Sequence, residues 1–246
     1  MFSATLDKQT LDSALTSVSV LVDECKIHMN EGGITIRAVD PANVGMVDMN
    51  LNSNAFESYQ SDGELIGVDL TKFNDIVSMG DNDSLFNLEF DNKTRKLLIE
   101  VDGLEYTLST LETSSIQKEP DIPDMDLPAT VIGEGRSLNQ AIKAADMIGE
   151  YIEFGVDADE NVFYSQAEGD VDDIYVERNE EELIDINAGD ANSIFSLEYL
   201  KSINNAIDDD SEVTIELGQE FPMRISLNFA EGHGQLTYMV APRIKS

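Results

Sequence analysis

Four oxygen-bearing side chains in DADENVFYSQAE, namely Asp157, Asp159, Asn161 and Glu168, stand at positions 1, 3, 5 and 12 of a calcium-loop pattern. Calcium takes about six to eight oxygen ligands, and such a loop supplies them only if its sixth residue, normally glycine, turns sharply. Here that residue is Val162, and the flanking YIEFGV and NVFYSQA alternate like strands rather than helices. The stretch therefore reads as an acidic hairpin turn. The runs DVDD (170–173) and DDD (208–210) read as solvated loops. His28 and His233 lie far apart in strand-like contexts, with no Ser or Cys pattern beside either. Cys25 alternates with Ile27 and Met29, as a buried structural thiol would. No GxxxxGK loop and no CxxC pair occurs. These patterns predict no catalytic residue, no metal and no cofactor.

The elements that carry these residues occur twice. TLDSALTSVSVLV places Leu11, Ala14, Leu15, Val18 and Leu21 on one helix face, and SLNQAIKAADMIG places Leu138, Ala141, Ile142, Ala145 and Ile148 on another, each 127 positions later. The strand pattern Cys25, Ile27, Met29 returns as Ile152, Phe154, Val156 at the same offset. LTKFNDIVSMG matches LEYLKSINNAI, pairing Leu70 with Leu197, Phe73 with Leu200 and Ile76 with Ile203. Each half ends in alternating strands, and one offset held through two helices and a strand marks a duplicated α+β unit. Between the copies lies SIQKEPDIPDMDLP (115–128), which holds Pro120, Pro123 and Pro128 of the chain's six prolines. Proline removes a backbone donor and pushes its predecessor toward extended geometry, so this is a connector. The expected division is 1–112, a connector at 113–128, and 129–246.

With 246 residues, 41% of them hydrophobic, the chain is long enough for two ordinary domains with real cores. No apolar run approaches membrane-spanning length. Residues 1–10 read as strand rather than signal peptide. A single cysteine excludes an intrachain disulfide and fits a reducing interior, so the expected location is cytoplasmic.

Forty-nine acidic residues against fifteen basic ones give a formal charge of −34. The periodic apolar pattern excludes disorder, and acids spread along the whole chain fit a protein adapted to molar salt. Helical windows 8–21, 71–79, 136–149 and 197–207 nevertheless hold five basic residues (Lys8, Lys72, Arg136, Lys143, Lys201) and four acids (Asp12, Asp75, Asp146, Glu198). Helices favour lysine and loops collect aspartate, which explains part of that contrast. The sharper reading is that the four helices line one surface kept free of excess negative charge. Such a surface can approach phosphate where the rest of the chain cannot.

The MFSATL opening, AVDPANVGMVDMNL (38–51), GVDLTKF, EPDIPDMDLP and the ending GHGQLTYMVAPRI together resemble the PCNA family of DNA sliding clamps over essentially the whole chain. The acidic composition points to a haloarchaeal member. The resemblance implies duplicated clamp domains with helices lining the inner face and antiparallel sheets outside. It also implies three subunits forming a ring around double-stranded DNA, without sequence specificity and without chemistry of their own. A homotrimer is expected, with a heteromeric checkpoint-type clamp as the variant within the class. An acidic halophilic cation-binding or enzyme domain is the alternative outside it.

By the same resemblance the basic residues named above face DNA. The subunit interface pairs Leu104, Tyr106 and Leu108, in the edge 104–110, with Ile174, Val176 and Arg178, in the edge 172–178. DNA polymerase, clamp loader, flap endonuclease and ligase would dock through PIP motifs, an aliphatic residue and two aromatics on a turn of helix. Their pocket would be Val39, Val44, Met46, Ile122, Pro123, Pro222, Met239, Ala241 and Pro242, with Ser196 and Ala241 bordering the glutamine subsite. The prolines would then hold the connector extended at little entropic cost. Where the family carries several basic residues on these helices, this chain has Asp12, Ser13, Asp75 and Ser78.

Overall fold

The computed structural model describes Met1–Ile244 and divides into two compact units. The first comprises Met1–Pro41, Val47–Pro120 and Asn228–Leu236; the second comprises Ala42–Met46, Asp121–Leu227 and the residues from Thr237 onward.

In the first unit, β1 (Phe2–Asp7) leads into α1 (Lys8–Ser19), followed by β2 (Glu24–Asn30), β3 (Gly33–Val39), β4 (Gly45–Asn52), β5 (Ser58–Ser61) and β6 (Glu64–Asp69). Then come α2 (Leu70–Val77), β7 (Leu85–Asp91), β8 (Lys96–Val101) and β9 (Leu104–Ser109). One sheet runs β5-β1-β7-β8-β9 and another sequence of paired strands runs β4-β3-β2-β6. Strand alternation sends Phe2, Ala4 and Leu6 of β1 inward with Phe86, Leu88 and Phe90 of β7, all at most 5% exposed. α1 buries Leu11, Ala14, Leu15 and Val18, and α2 buries Leu70, Phe73 and Val77. Both helices start on an aspartate cap. Asp7 accepts from the Thr10 amide at 2.8 Å, and Asp69 from the Lys72 amide at 3.1 Å.

The second unit repeats this plan with β10 (Ala129–Glu134), α3 (Gly135–Asp146), β11 (Tyr151–Asp157), β12 (Val162–Glu168), β13 (Asp173–Asn179), β14 (Asp185–Asn187) and β15 (Ala191–Ser196). α4 (Leu197–Asn204), β16 (Glu212–Leu217) and the greater part of β17 (Met223–Phe229) and β18 (Gly234–Val240) complete it. Strand orders β14-β10-β16-β17-β18 and β13-β12-β11-β15 mirror those of the first unit. Adding 127 to the bounds of β1, α1, β2, β6 and α2 gives the bounds of β10, α3, β11, β15 and α4 without a residue of slippage. The caps do not follow. Neither Glu134 nor Ser196 makes a side-chain capping bond to its helix.

Several expectations shift by a few residues. The helices end two to three residues before the windows drawn from the sequence, because the ladder closes in tighter turns: the Leu21 amide bonds Val18, and Ile207 bonds Asn204. Lys8, Gln9 and Thr10 are helix rather than strand. His233 closes a one-turn 3-10 segment at Ala230–Gly232 instead of lying in a strand. The segment between β11 and β12 is a hairpin turn in which the Asp157 carboxylate accepts from the Asp159 and Glu160 amides at 2.9 and 3.0 Å. Among the described residues, no group of three or more His, Cys, Asp or Glu is placed to hold a metal. No described helix is long and apolar enough to cross a membrane.

Candidate functional site

Among the described residues, β9 and β13 are two of the end strands of their sheets, as β5, β6, β14 and β15 are. β9 pairs only with β8, and β13 only with β12, each being the last strand of its sheet. An unpaired edge presents a row of backbone donors and acceptors ready to join another chain. Leu104 on β9 is 45% exposed and Tyr175 on β13 is 54% exposed. Leu108 is buried, while Tyr106 is half-buried with its hydroxyl 2.8 Å from the Met79 sulfur. Ile174, Val176 and Arg178 occupy the half-covered face of β13, and Arg178 already meets Glu182 at 3.5 Å. Tyr175 and Met79 were not expected at these edges. Tyr175 projects from the face opposite the three β13 residues singled out by alternation, stacked on Tyr164 at 5.8 Å.

The five basic residues of the helical windows lie on their helices away from the buried stripes. Three already hold carboxylates. Lys72 meets Asp69 at 2.7 Å, Arg136 meets Glu134 at 2.8 Å and Asp210 at 2.6 Å, and Lys201 meets Asp146 at 2.8 Å. The Lys72 ammonium holds the Asp69 carboxyl below its ordinary pKa, and Asp69 in turn raises that of Lys72. Lys8 and Lys143 form no ion pair among the described residues.

In the second unit, the segment before β4 and the chain end lie side by side, since the Ala241 amide donates to the Val44 carbonyl at 2.8 Å. Met46 and Met239 are buried, 7% and 5% exposed, whereas Val44, Pro222, Ala241 and Pro242 are half-buried. Ile122 is 43% exposed and Pro123 is exposed, on a stretch of the connector with no regular structure. Pro222 is fixed by its own turn. The Ser193 hydroxyl lies 3.0 Å from the Gly218 carbonyl and 3.2 Å from that of Phe221, and the Glu220 amide bonds Asn192. Ser196 is half-buried at the end of β15 and makes no capping bond to α4. Beside Pro222, Phe221 leaves 48% of its surface exposed; no periodicity marks it, because it sits in a turn.

Val39 belongs to the first unit. There it lines a cleft of about 510 Å³ with Cys25, Ala38, Ile116 and Glu119. Leu111, just before the connector, and Ile116 and Glu119 within it are tied down in this unit. The Leu111 amide bonds the Gly67 carbonyl at 2.8 Å, and Ile116 packs where a side chain on Gly67 would stand, 2.5 Å from an ideal Cβ. Glu119 meets His28 at 2.7 Å. Burial pushes the Cys25 thiol up to about 12, with the Glu119 charge adding to it.

A family model for the proliferating cell nuclear antigen, N-terminal domain, matches residues 1–119. The DNA polymerase sliding clamps of Haloarcula marismortui and Natronomonas pharaonis are each 54% identical over 246 residues, covering 100% of both chains. Among solved structures, A. fulgidus PCNA with the C-terminal region of FEN-1 bound matches at a TM-score of 0.94 and 34% identity, covering 100% of each chain. PCNA from Thermococcus kodakaraensis matches in fold at a TM-score of 0.91 and 23% identity, covering 99% of this chain and 100% of its own. The chain belongs to the PCNA family of DNA polymerase sliding clamps. That family consists of processivity factors, which hold other enzymes on DNA.

Proposed function

We propose that three copies of this chain join head to tail in a ring that encircles duplex DNA, and that the ring tethers a replicative polymerase and other DNA-processing enzymes. The open edges β9 and β13 carry this reading. They lie on different sheets of one chain, so joining β9 of one copy to β13 of the next is a heterologous contact, and such contacts close into rings when the rotation fits. Leu104, Tyr106 and Leu108 would meet Ile174, Val176 and Arg178 there. The domains of the ring are 1–112 and 129–246, with 113–128 connecting them.

Lys8, Lys72, Arg136, Lys143 and Lys201 face the DNA in this reading. With Lys72, Arg136 and Lys201 already on carboxylates, few positive charges remain to neutralise phosphate. Retention on DNA then rests on topology, since escape requires opening the ring. Partners bring a PIP-type segment to Val39, Val44, Met46, Ile122, Pro123, Ser196, Pro222, Met239, Ala241 and Pro242, and the A. fulgidus complex with a FEN-1 segment supports that mode. Polymerase, clamp loader, flap endonuclease and ligase are the partners assigned. The clamp itself performs no catalysis and works at the nucleoid in the cytoplasm.

Light scattering across a potassium chloride series from low to molar salt tests the ring. The expected mass at high salt is three times 27.1 kDa. A monomer at every salt concentration overturns the reading.

A further inference from the structure

Ala241–Arg243 are held in the second unit by two backbone bonds and a ring contact. The Arg243 amide donates to the Ile194 carbonyl at 2.7 Å, placing the tail along the outer edge of β15, the last strand of its sheet. The Arg243 guanidinium carbon then lies 3.8 Å from the centre of the Tyr151 ring. Tyr151 is the cross-strand partner of Ser196, the residue that borders the candidate pocket. Two residues earlier, the Ala241 amide bonds Val44. Pro242 between them has no amide to place, so every backbone donor from Ala241 to Arg243 is used.

The choice of partner for Arg243 is informative. The chain holds forty-nine acids, yet among the described residues Arg243 forms no ion pair and rests on an aromatic face. In molar salt the screening length falls to about 3 Å, so an exposed ion pair would be a weak clasp. A cation seated on a ring keeps its attraction at contact distance, along with the dispersion contacts of the flat guanidinium.

We propose that Tyr151 is a positioning residue for partner docking: its ring seats Arg243 and so holds Ala241 and Pro242 as a fixed wall beside Ser196. This rests on the pocket assignment of the preceding subsection. A wall already in place spares an incoming peptide the cost of ordering the tail.

The test uses the purified full-length clamp in molar potassium chloride, with Tyr151→Leu, Tyr151→Phe and Arg243→Ala. Amide hydrogen exchange at Ala241 and Arg243 reads the latch in the free protein. Calorimetric titration with a synthetic peptide bearing one glutamine, one aliphatic residue and two aromatics reads docking. Tyr151→Leu and Arg243→Ala are expected to speed exchange at Arg243 and to weaken the peptide by about two- to fivefold, as an exposed cation–π contact would. Tyr151→Phe keeps the ring and is expected to match the parent in both. Arg243 is exposed, so its alanine variant answers even if Tyr151→Leu misfolds. Unchanged exchange in Arg243→Ala overturns the latch, as does a Phe variant no better than Leu. Faster exchange with undiminished affinity overturns the positioning role. A parent clamp that binds no such peptide overturns the pocket assignment instead, and the exchange comparison still decides whether the tail is latched.

Discussion

Leu104→Ala tests the ring at its exposed seam. Complete burial of a leucine side chain contributes roughly 1.5–3 kcal/mol. In the isolated chain 45% of Leu104 remains exposed, so covering that remainder by a neighbouring copy is worth about 1 kcal/mol per interface. A closed trimer has three such interfaces, and truncation costs the ring about 3 kcal/mol, or roughly 150-fold in the trimer dissociation constant. For a trimer separating into monomers the midpoint concentration follows the square root of that constant, which gives a shift of about 12-fold. The same substitution should cost the monomer only about 1 kcal/mol, from the part of Leu104 already covered within the chain. Light scattering on a dilution series in molar potassium chloride measures the midpoint, and thermal unfolding at the same salt supplies the control. A midpoint that moves less than about threefold with an intact monomer would place Leu104 outside the interface and refute the edge-to-edge arrangement. A shift accompanied by a loss of monomer stability of about 3 kcal/mol, as large as that of the ring, would refute the reasoning from exposure.

Ile122→Asp is expected to remove binding of a PIP-type peptide while leaving the trimer mass unchanged, since Ile122 is 43% exposed and stands in irregular connector; calorimetry with unchanged affinity would sink that part of the pocket. Met46 is a poorer probe, because it is only 7% exposed and a charge there would be buried in the unit itself. Cys25 should resist iodoacetamide at pH 9 in molar salt. Its thiol is pushed up to about 12 in the fold, against roughly 8.5 in an unfolded chain, so the native group stays neutral while the unfolded one ionises. The stability linked to this thiol is complete below the unfolded value and is lost as pH climbs from there toward 12. Rapid labelling of the native protein, followed by mass spectrometry, would show that the strand carrying Cys25 opens locally.

The repeat was legible in the sequence because it is written in buried residues at local spacing. Leu11, Ala14, Leu15 and Val18 recur 127 positions later as Leu138, Ala141, Ile142 and Ala145, and all eight are buried. Helix and strand periods depend on neighbours a few positions away, so a single chain displays them without its fold. The absence of regular structure over 117–128 was legible for a similar reason, since proline acts on its own backbone and on its predecessor.

Other features join residues distant along the chain and left no local mark. Whether a basic side chain on a helix is available to DNA depends on which carboxylate folds beside it: Arg136 meets Asp210, and Lys201 meets Asp146 across 55 positions. Alternation along β13 separates its two faces, but only the sheet order reveals that the strand has no second partner and that Tyr175 lies exposed on the less expected face. Arg243 and Tyr151 are ninety-two positions apart, and nothing in either neighbourhood predicts that the guanidinium would choose a ring over the abundant acids. Sequence by itself determined the duplicated elements and the irregular proline-bearing stretch, because propensity and periodicity are local. Tertiary structure alone decided which edges stay open, which charges are spent and how the chain end is held, because each depends on contacts that exist only once distant segments are brought together.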